Sequence, residues 1–163
     1  MCTAVFLDVA QAFDKMWHTG LLYKLKAILP GPYNLPLKSY LTDRYFHIRY
    51  NGTYSDCHEV KAGVPQGSVI GPLLYLLFTA DLHTTDYTII ATFTDDTGLL
   101  AVHRDPSIDS QHLQSHLILL HDWFLRWKIH VNSAKSAHIT FTRRQATCPC
   151  ISAHNPDSSE RRQ

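Results

Sequence analysis

The chain has 163 residues, of which 45% are hydrophobic and 18% are charged, and its formal net charge is +1 with the histidines neutral. These values are typical of one globular domain that is large enough for a hydrophobic core. They exclude an overall basic field, so any binding of nucleic acid would depend on a local patch of the surface.

The predicted elements begin with a strand and two helices. Residues 4–9 alternate between apolar and other side chains and are rich in branched residues, which predicts a strand that ends at Asp8. Apolar residues then recur at helical spacing within residues 13–29. A second helix is expected to begin near Pro36, because proline is favoured in the first turn of a helix.

Two hairpins and a buried helix are predicted next. Asn51-Gly52 is the most favourable two-residue turn in the sequence, and it predicts a hairpin of residues 45–50 and 53–60. Pro72 is expected to open a buried helix, and a second hairpin is predicted over residues 89–102.

The last third is predicted to contain a long helix and two strands. Asp105-Pro106-Ser107 is a typical helix start, and leucine and aromatic residues follow it at spacings of three and four. Residues 129–132 and 137–142 are predicted strands on either side of a turn at Lys135. This order of elements predicts an α+β fold with a small antiparallel sheet packed on helices.

The C-terminal tail and the cysteines bear on domain organisation and location in the cell. Residues 143–163 are polar and charged, so we expect a disordered tail after a domain at residues 1–142. The four cysteines have neither a disulfide nor a zinc spacing, and the first residues lack the basic start of a signal peptide. We therefore expect an intracellular protein, cytoplasmic or nuclear or both, that is not secreted and has no membrane partner. The sequence leaves its oligomeric state open.

Three acids are candidate metal ligands because each lies at the end of an apolar strand. Asp8 shares a strand face with Phe6, and Asp95-Asp96 separates two apolar runs. If the first strand lies beside the second hairpin, Asp8 and Asp95 can converge at one end of the sheet, and three acids at that edge could bind Mg²⁺. The alternative is that Asp8 caps a helix and that Asp95-Asp96 is a solvated turn.

Other polar residues are expected to have structural or surface positions. Asp14 is predicted to cap the first helix rather than to bind metal. His112 and His116 have helical spacing but lack a third ligand at a suitable distance, so both are predicted to be surface histidines.

Four segments, in order, resemble the motifs of a known family. FLDVAQAFDKMWH (6–18), AGVPQGSVIGPLLYLLF (62–78) and FTDDTGLLA (93–101) are similar to motifs A, B and C of reverse transcriptases. WKIHVNSAKSAHITF (127–141) is similar to motif D. The resemblance covers roughly residues 3–150 and is strongest to non-LTR, LINE-type retrotransposons of the jockey-like group.

The resemblance implies roles for seven residues. Asp8, Asp95 and Asp96 match the catalytic carboxylates that bind two Mg²⁺ ions, with Mn²⁺ as a substitute. The other four positions match residues of the nucleotide-binding site, and these are Phe13, Gln66, Gly67 and Lys135.

The four nucleotide-binding positions also have simpler explanations. Phe13 matches the aromatic gate that excludes a ribose 2′-OH, but its ring is equally suited to a core. Gln66 and Gly67 match the loop near the incoming nucleotide, where they would also serve as a turn before a helix. Lys135 matches a proton donor to pyrophosphate, and a solvated lysine is the alternative.

The implied activity is RNA-directed DNA polymerisation within a polymerase palm. The substrates would be an RNA template, a DNA primer and deoxynucleoside triphosphates. In the family, fingers precede motif A and a thumb follows motif D; we expect both to be largely missing here, and hence little or no processive synthesis. A catalytically silent remnant, or a co-opted module that binds nucleic acid or protein, remains the alternative. A nucleotide cyclase is disfavoured, because it would lack the Pro-Gln-Gly loop.

Overall fold

The computed structural model describes residues 2–65 and 67–142. Gln66 and the predicted tail at residues 143–163 lie outside the described residues. The chain divides into two compact units. We call the first the sheet unit (Met1–Val9, His83–Phe124 and His130–Gln163) and the second the helical unit (Ala10–Leu82 and Leu125–Ile129).

The elements confirm the predicted α+β class. In chain order they are β1 (Cys2–Asp8), α1 (His18–Ile28), α2 (Gly31–Leu41), β2 (Tyr45–Phe46), β3 (Arg49–Tyr50), β4 (Thr53–Tyr54), β5 (His58–Glu59), α3 (Ile70–Thr79), β6 (Thr88–Phe93), β7 (Asp96–Val102), α4 (Pro106–Arg126) and β8 (Ala137–Phe141). No helix within residues 2–65 and 67–142 has the length and apolar character needed to cross a bilayer.

The sheet unit is built on four antiparallel strands in the order β6-β7-β1-β8. Because side chains alternate along a strand, Val5, Leu7 and Leu99 share one face, and all three are buried. Phe6 lies on the other face and is half exposed, as the alternation of β1 predicts. The sheet therefore has one covered face and one open face.

Helix α4 covers the buried face. Leu113, His116 and Leu120 follow one another at spacings of three and four, and all three are fully buried. The His116 ring nitrogens are hydrogen-bonded to the Thr88 hydroxyl on β6 and, at 2.8 Å, to the His83 carbonyl. The prediction that His116 is a surface residue is wrong, because its spacing places it on the apolar stripe of the helix.

The helical unit contains a buried lysine that joins two helices. Lys24 on α1 donates hydrogen bonds to the Phe78 carbonyl and to the Asp81 carboxylate, close to the end of α3. Its ammonium lies 3.8 Å from the centre of the Trp127 ring. Burial lowers the pKa of Lys24, while the bonds to Asp81 oppose that shift.

Two predicted helix starts are wrong. The first helix begins at His18 rather than at residue 13, because residues 11–14 form a turn in which Gln11 has a φ of 55°. Trp17 precedes that helix without any side-chain cap, so Asp14 is not its cap. The second helix begins at Gly31, and Pro36 lies inside it.

Both predicted hairpins form, but one predicted strand does not. The hairpin of β6 and β7 forms as predicted, whereas the hairpin at Asn51-Gly52 is interrupted into two pairs of two residues, β3 with β4 and β2 with β5. Residues 129–132 do not form a strand: Val131 makes an isolated bridge to Val9, and Asn132 begins a turn that bonds to Asp8.

We expect Asp109→Asn to stabilise the protein at neutral pH. Asp109 in the first turn of α4 is fully buried, and neither carboxylate oxygen has a hydrogen-bond partner among the described residues. Burial raises the pKa of this carboxyl above its ordinary value. The folded state therefore holds the proton more tightly than the unfolded state, and stability falls as pH rises from the ordinary carboxyl pKa through the raised one.

Melting curves between pH 3 and pH 8 test this expectation. Asp109→Asn should raise the free energy of unfolding by about 1–3 kcal/mol at neutral pH, and the gain should shrink below about pH 4. Asp105→Asn is the matched control and should lower, rather than raise, the free energy of unfolding at neutral pH. Hydrogen bonds from the Ser107 hydroxyl and backbone N–H lower the pKa of Asp105 and so favour its charged form in the folded state. A loss of stability in Asp109→Asn at neutral pH would contradict the assignment.

Candidate active site at the end of the sheet

Asp8 and Asp96 are paired directly across the two central strands of the sheet. They form the last pair of the antiparallel register of β1 and β7, which also places Phe6 opposite Gly98. Residues opposite each other in such a register have Cα atoms about 4.5–5.5 Å apart and side chains on the same face. Both carboxylates therefore lie at one end of the open face, with Asp8 partly buried and Asp96 exposed.

Asp95 lies in the two-residue turn that joins β6 to β7. Its carbonyl accepts a hydrogen bond of 3.2 Å from the Val9 N–H, which ties the turn to the residue after Asp8. The Thr94 hydroxyl donates to Asp95 Oδ1 at 2.8 Å. Thr94 has a φ of 52°, a left-handed conformation that is strained for a β-branched residue. The third acid is thus held next to the pair by its backbone and by its neighbour.

A turn at residues 132–136 bonds to both backbone groups of Asp8. The Asn132 N–H donates to the Asp8 carbonyl at 2.7 Å, and the Asp8 N–H donates to Ser136 Oγ at 3.3 Å. Ser136 Oγ in turn donates to the Asn132 carbonyl at 2.9 Å. Lys135 is exposed within this turn. The backbone of Asp8 is therefore fixed by the segment that carries Lys135.

Asn132 and Ser136 were missed as site residues, although the sequence contains a signal for them. The Asn132 side-chain oxygen accepts a hydrogen bond of 3.2 Å from the Ala134 N–H, two residues later. Asparagine is typical at the start of such turns because its side chain bonds to this N–H. That pattern predicts the turn, but it does not predict that the turn contacts Asp8, 124 residues away along the chain.

The three carboxylates have the chemistry of a divalent-cation site without a complete geometry for one. Within the described ranges none of them forms an ion pair with a basic side chain. Hard carboxylate oxygens are the donors that Mg²⁺ and Mn²⁺ prefer. In the same ranges, however, no group of three His, Cys, Asp or Glu side chains is close enough to hold an ion. Asp8 and Asp96 thus offer donors of suitable chemistry on one face, and the Asp95 side chain bonds instead to Thr94.

In the helical unit, the turn that carries Phe13 is bonded to the segment that resembles motif B. The Phe13 carbonyl accepts from the Val64 N–H at 2.9 Å, and the Gly63 N–H donates to the Met16 carbonyl at 2.9 Å. The Phe13 ring packs against Tyr75 on α3, with ring centres 5.3 Å apart. Phe13 is partly buried by these contacts and keeps part of its surface exposed.

The glycines of this segment have backbone conformations that suit glycine. Gly63 has a φ of 85°, and a Cβ there would lie 2.5 Å from the Asp14 carbonyl oxygen. Gly67 also has a positive φ, at 81°, but a Cβ there would meet nothing within 4 Å. Close backbone approach is thus required at Gly63, whereas Gly67 is an exposed turn residue.

The sheet and its acids define an α+β protein of the polymerase-palm class. Two central strands carry paired carboxylates at one end, and a helix covers the opposite face. The fold is similar to that of apo telomerase from Candida tropicalis, with a TM-score of 0.67 over 89% of this chain and 32% of that chain. Sequence identity between the two is 13%, so the likeness concerns the fold alone.

The sequence comparison identifies the family. The model of the family described as reverse transcriptase (RNA-dependent DNA polymerase) matches residues 1–158, and the chain belongs to this family. It is 39% identical over 155 residues to the RNA-directed DNA polymerase from mobile element jockey of Drosophila melanogaster, a match that covers 90% of this chain.

A second relative from Drosophila melanogaster is the probable RNA-directed DNA polymerase from transposon BS. It is 45% identical over 149 residues, which cover 86% of this chain. The chain spans only 17% of the jockey protein and 16% of the transposon BS protein. These matches confirm the resemblance to jockey-like, non-LTR elements.

Gly63→Ala is expected to destabilise the helical unit strongly. The added Cβ would meet the Asp14 carbonyl, and alanine would have to adopt a positive φ. A loss of roughly 1–3 kcal/mol is expected from the backbone strain, with the steric overlap adding to it. Gly31→Ala is the control, because Gly31 opens α2 and a Cβ there would meet nothing within 4 Å. Equal urea midpoints for the two variants would contradict the close approach at Gly63.

Ser136→Ala is expected to lower the free energy of unfolding by about 0.5–1.5 kcal/mol, because it removes both hydrogen bonds of the hydroxyl. Ser136→Thr retains a hydroxyl and should restore most of this loss. Ser133→Ala changes an exposed serine of the same turn and serves as the control. Urea unfolding in which Ser136→Ala and Ser133→Ala behave alike would show that the Ser136 hydroxyl does not support Asp8.

Proposed function

We propose that this chain provides the catalytic carboxylates of an RNA-directed DNA polymerase that extends a DNA primer on an RNA template. The observation that carries the proposal is the pairing of Asp8 with Asp96 at the end of β1 and β7, with Asp95 in the adjoining turn. The family match and the printed names of the Drosophila relatives support the same reaction. Because the chain spans about a sixth of those relatives, the activity of the whole protein is part of the proposal.

In this proposal Asp8 and Asp96 bind divalent cations, either Mg²⁺ or Mn²⁺. Two such ions, when bound, would lower the pKa of the primer 3′-OH and neutralise the charge of the leaving pyrophosphate. Asp8 can hold a constant position during the reaction because its backbone is hydrogen-bonded on both sides. Asp95 would supply the third carboxylate to the cations once its Oδ1 no longer accepts the hydrogen bond from the Thr94 hydroxyl.

Lys135 would donate a proton to the leaving pyrophosphate. It is exposed on the turn whose other residues bond to the Asp8 backbone, so its attachment to the chain lies beside the carboxylates. An ammonium group is a strong donor and carries the charge that would attract a phosphate oxygen.

The helical unit would recognise the nucleotide. Phe13, fixed against Tyr75, would contact the sugar and clash with a ribose 2′-OH, which selects deoxynucleotides. Gly67 and Gln66 would line the base and sugar of the incoming nucleotide, with the bare backbone at Gly67 allowing close approach.

We further propose that the protein acts inside the cell, in the cytoplasm or the nucleus.

A second candidate function is a binding module without catalysis. It is favoured by one observation: within residues 2–65 and 67–142 no three candidate ligands are close enough to hold a metal ion. Positioning of template and primer also supplies much of the rate in phosphoryl transfer. A chain that holds the carboxylates but not the substrates would retain the palm fold and bind nucleic acid or protein.

Primer extension separates the two candidates. The purified chain, an RNA template with an annealed DNA primer, deoxynucleotides and Mg²⁺ or Mn²⁺ should give primers extended by one or a few nucleotides. Asp95→Asn and Asp96→Asn should each reduce the rate by roughly 100-fold or more, a loss typical of removing a charge-stabilising group at the reacting centre.

Asp86→Asn, at an exposed acid in the same unit, is the control and should extend primers at the rate of the unchanged protein. Extension that persists in Asp95→Asn would rule out the proposed carboxylate centre. Absence of any extension by the unchanged chain, with either metal, would favour the binding module.

A further inference from the structure

The helical unit carries a short β-arm whose apolar side chains face solvent. We define the aromatic arm as residues 45–59, in which β2 pairs with β5 and β3 pairs with β4. Asn51 and Gly52 close its tip with positive φ values of 47° and 81°. Large apolar residues of the arm are 48–77% exposed, and these are Tyr45, Phe46, Ile48, Tyr50 and Tyr54.

Local hydrogen bonds, rather than a hydrophobic core, hold the arm in shape. The Ile48 N–H donates to Ser55 Oγ and the Ser55 N–H donates to the Ile48 carbonyl, each at 2.9 Å. At the base of the arm the Val60 N–H donates to the Arg44 carbonyl at 2.8 Å. An isolated two-stranded hairpin is marginal in water, and five exposed apolar side chains in so short a segment indicate a binding surface.

The rings of the arm alternate with cationic or ionisable groups. The Arg49 guanidinium carbon lies 5.5 Å from the centre of the Tyr54 ring, and the His47 ring meets the same tyrosine edge-on at 4.9 Å. Phe46 lies 5.8 Å from the ring of His58. Residues 46–54 contain one arginine, one histidine and no acid, while Asp56 and Glu59 lie nearer the base. The tip is therefore aromatic and positively charged.

We propose that the tip of the aromatic arm binds single-stranded nucleic acid by stacking bases on Tyr50 and Tyr54, with Arg49 contacting a phosphate. Exposed aromatic faces beside a cation are the elements from which single-strand binding surfaces are built. Aromatic residues and arginine also suit protein interfaces. The choice of nucleic acid rests on the proposed function, in which the protein works along an RNA template.

The small number of charges at the tip predicts how strongly the affinity should depend on salt. Stacking on an aromatic ring contributes about 1–3 kcal/mol per base and depends little on sequence. A single arginine neutralises about one phosphate, so the slope of log affinity against log salt should be about −0.7 for a single strand. Binding through a broad basic patch would give a much steeper slope.

Fluorescence anisotropy with a labelled oligouridine of about twelve nucleotides, within the length range of single-strand sites, tests the proposal. The full 163-residue chain is used with EDTA and without nucleotides, so the readout is independent of polymerisation. The unchanged protein should bind saturably. Tyr50→Ala, Tyr54→Ala and Arg49→Ala should each raise the Kd about five-fold or more, while Tyr54→Phe should stay within about two-fold.

Two controls separate this surface from the rest of the protein. Tyr33→Ala removes a tyrosine on α2 that is 60% exposed and should bind as the unchanged protein does. Asp95→Asn should abolish primer extension and leave oligouridine binding intact, so failure of the catalytic proposal and failure of this one are distinguishable. All arm variants alter exposed side chains, and their melting temperatures should match that of the unchanged protein.

Three results would overturn the proposal: no binding of oligouridine by the unchanged chain, equal affinities for the unchanged chain and all three alanine variants, or an equal loss in Tyr33→Ala. A fourth would reassign the surface. If size-exclusion chromatography showed an oligomer that the arm variants dissociate, with RNA affinity unchanged, the arm would be a protein interface.

Discussion

The register of β1 against β7 places the carboxylates of Asp8 and Asp96 directly opposite each other, and the packing of the sheet unit maintains this register. Like charges across an antiparallel pair destabilise it, typically by a few tenths to about 1 kcal/mol. The register cannot slip to separate Asp8 from Asp96, because a shift of β1 by one residue would turn Val5 and Leu7 out of the core. Burial of the side chains on one face of the sheet thus keeps the two like-charged carboxylates next to each other at the end of the open face.

Support for the acids comes from the backbone, which leaves their side chains available. The turn at residues 132–136 fixes the main chain of Asp8, and the Val9 N–H fixes that of Asp95. The strained Thr94 at the hairpin tip bonds to the Asp95 carboxylate, so this acid alone of the three has a hydrogen bond to its side chain among the described residues. Such an arrangement fixes the backbone positions of Asp8 and Asp95 through contacts that do not use the Asp8 carboxylate.

Much of this could be predicted from the sequence, because strand alternation and hairpin turns are local signals. The face shared by Phe6 and Asp8, and the turn at Asn51-Gly52, follow from neighbouring residues alone. The sequence predicted convergence of Asp8 and Asp95 on the condition that β1 lies beside the second hairpin; β1 does lie there, but the register places Asp96 opposite Asp8.

Apart from the two helix starts, the errors share a physical cause, since they depend on contacts between distant parts of the chain. His116 is buried because α4 turns it toward Thr88, and its polarity alone predicts exposure. Residues 129–132 have a strand-like composition, but Asn132 bonds to Asp8 and ends the extended segment. Gly63 is required by the Asp14 carbonyl, a contact that no local pattern predicts.

The most direct test of the central claim is the free energy of unfolding of the unchanged protein and of Asp96→Asn, measured without and with saturating Mn²⁺. Without metal, Asp96→Asn should be the more stable by roughly 0.2–1 kcal/mol, because the repulsion across the pair is removed. With Mn²⁺ the unchanged protein should gain stability through binding and become the more stable of the two. An order of stability that does not change when Mn²⁺ is added would contradict a cation site at Asp8 and Asp96.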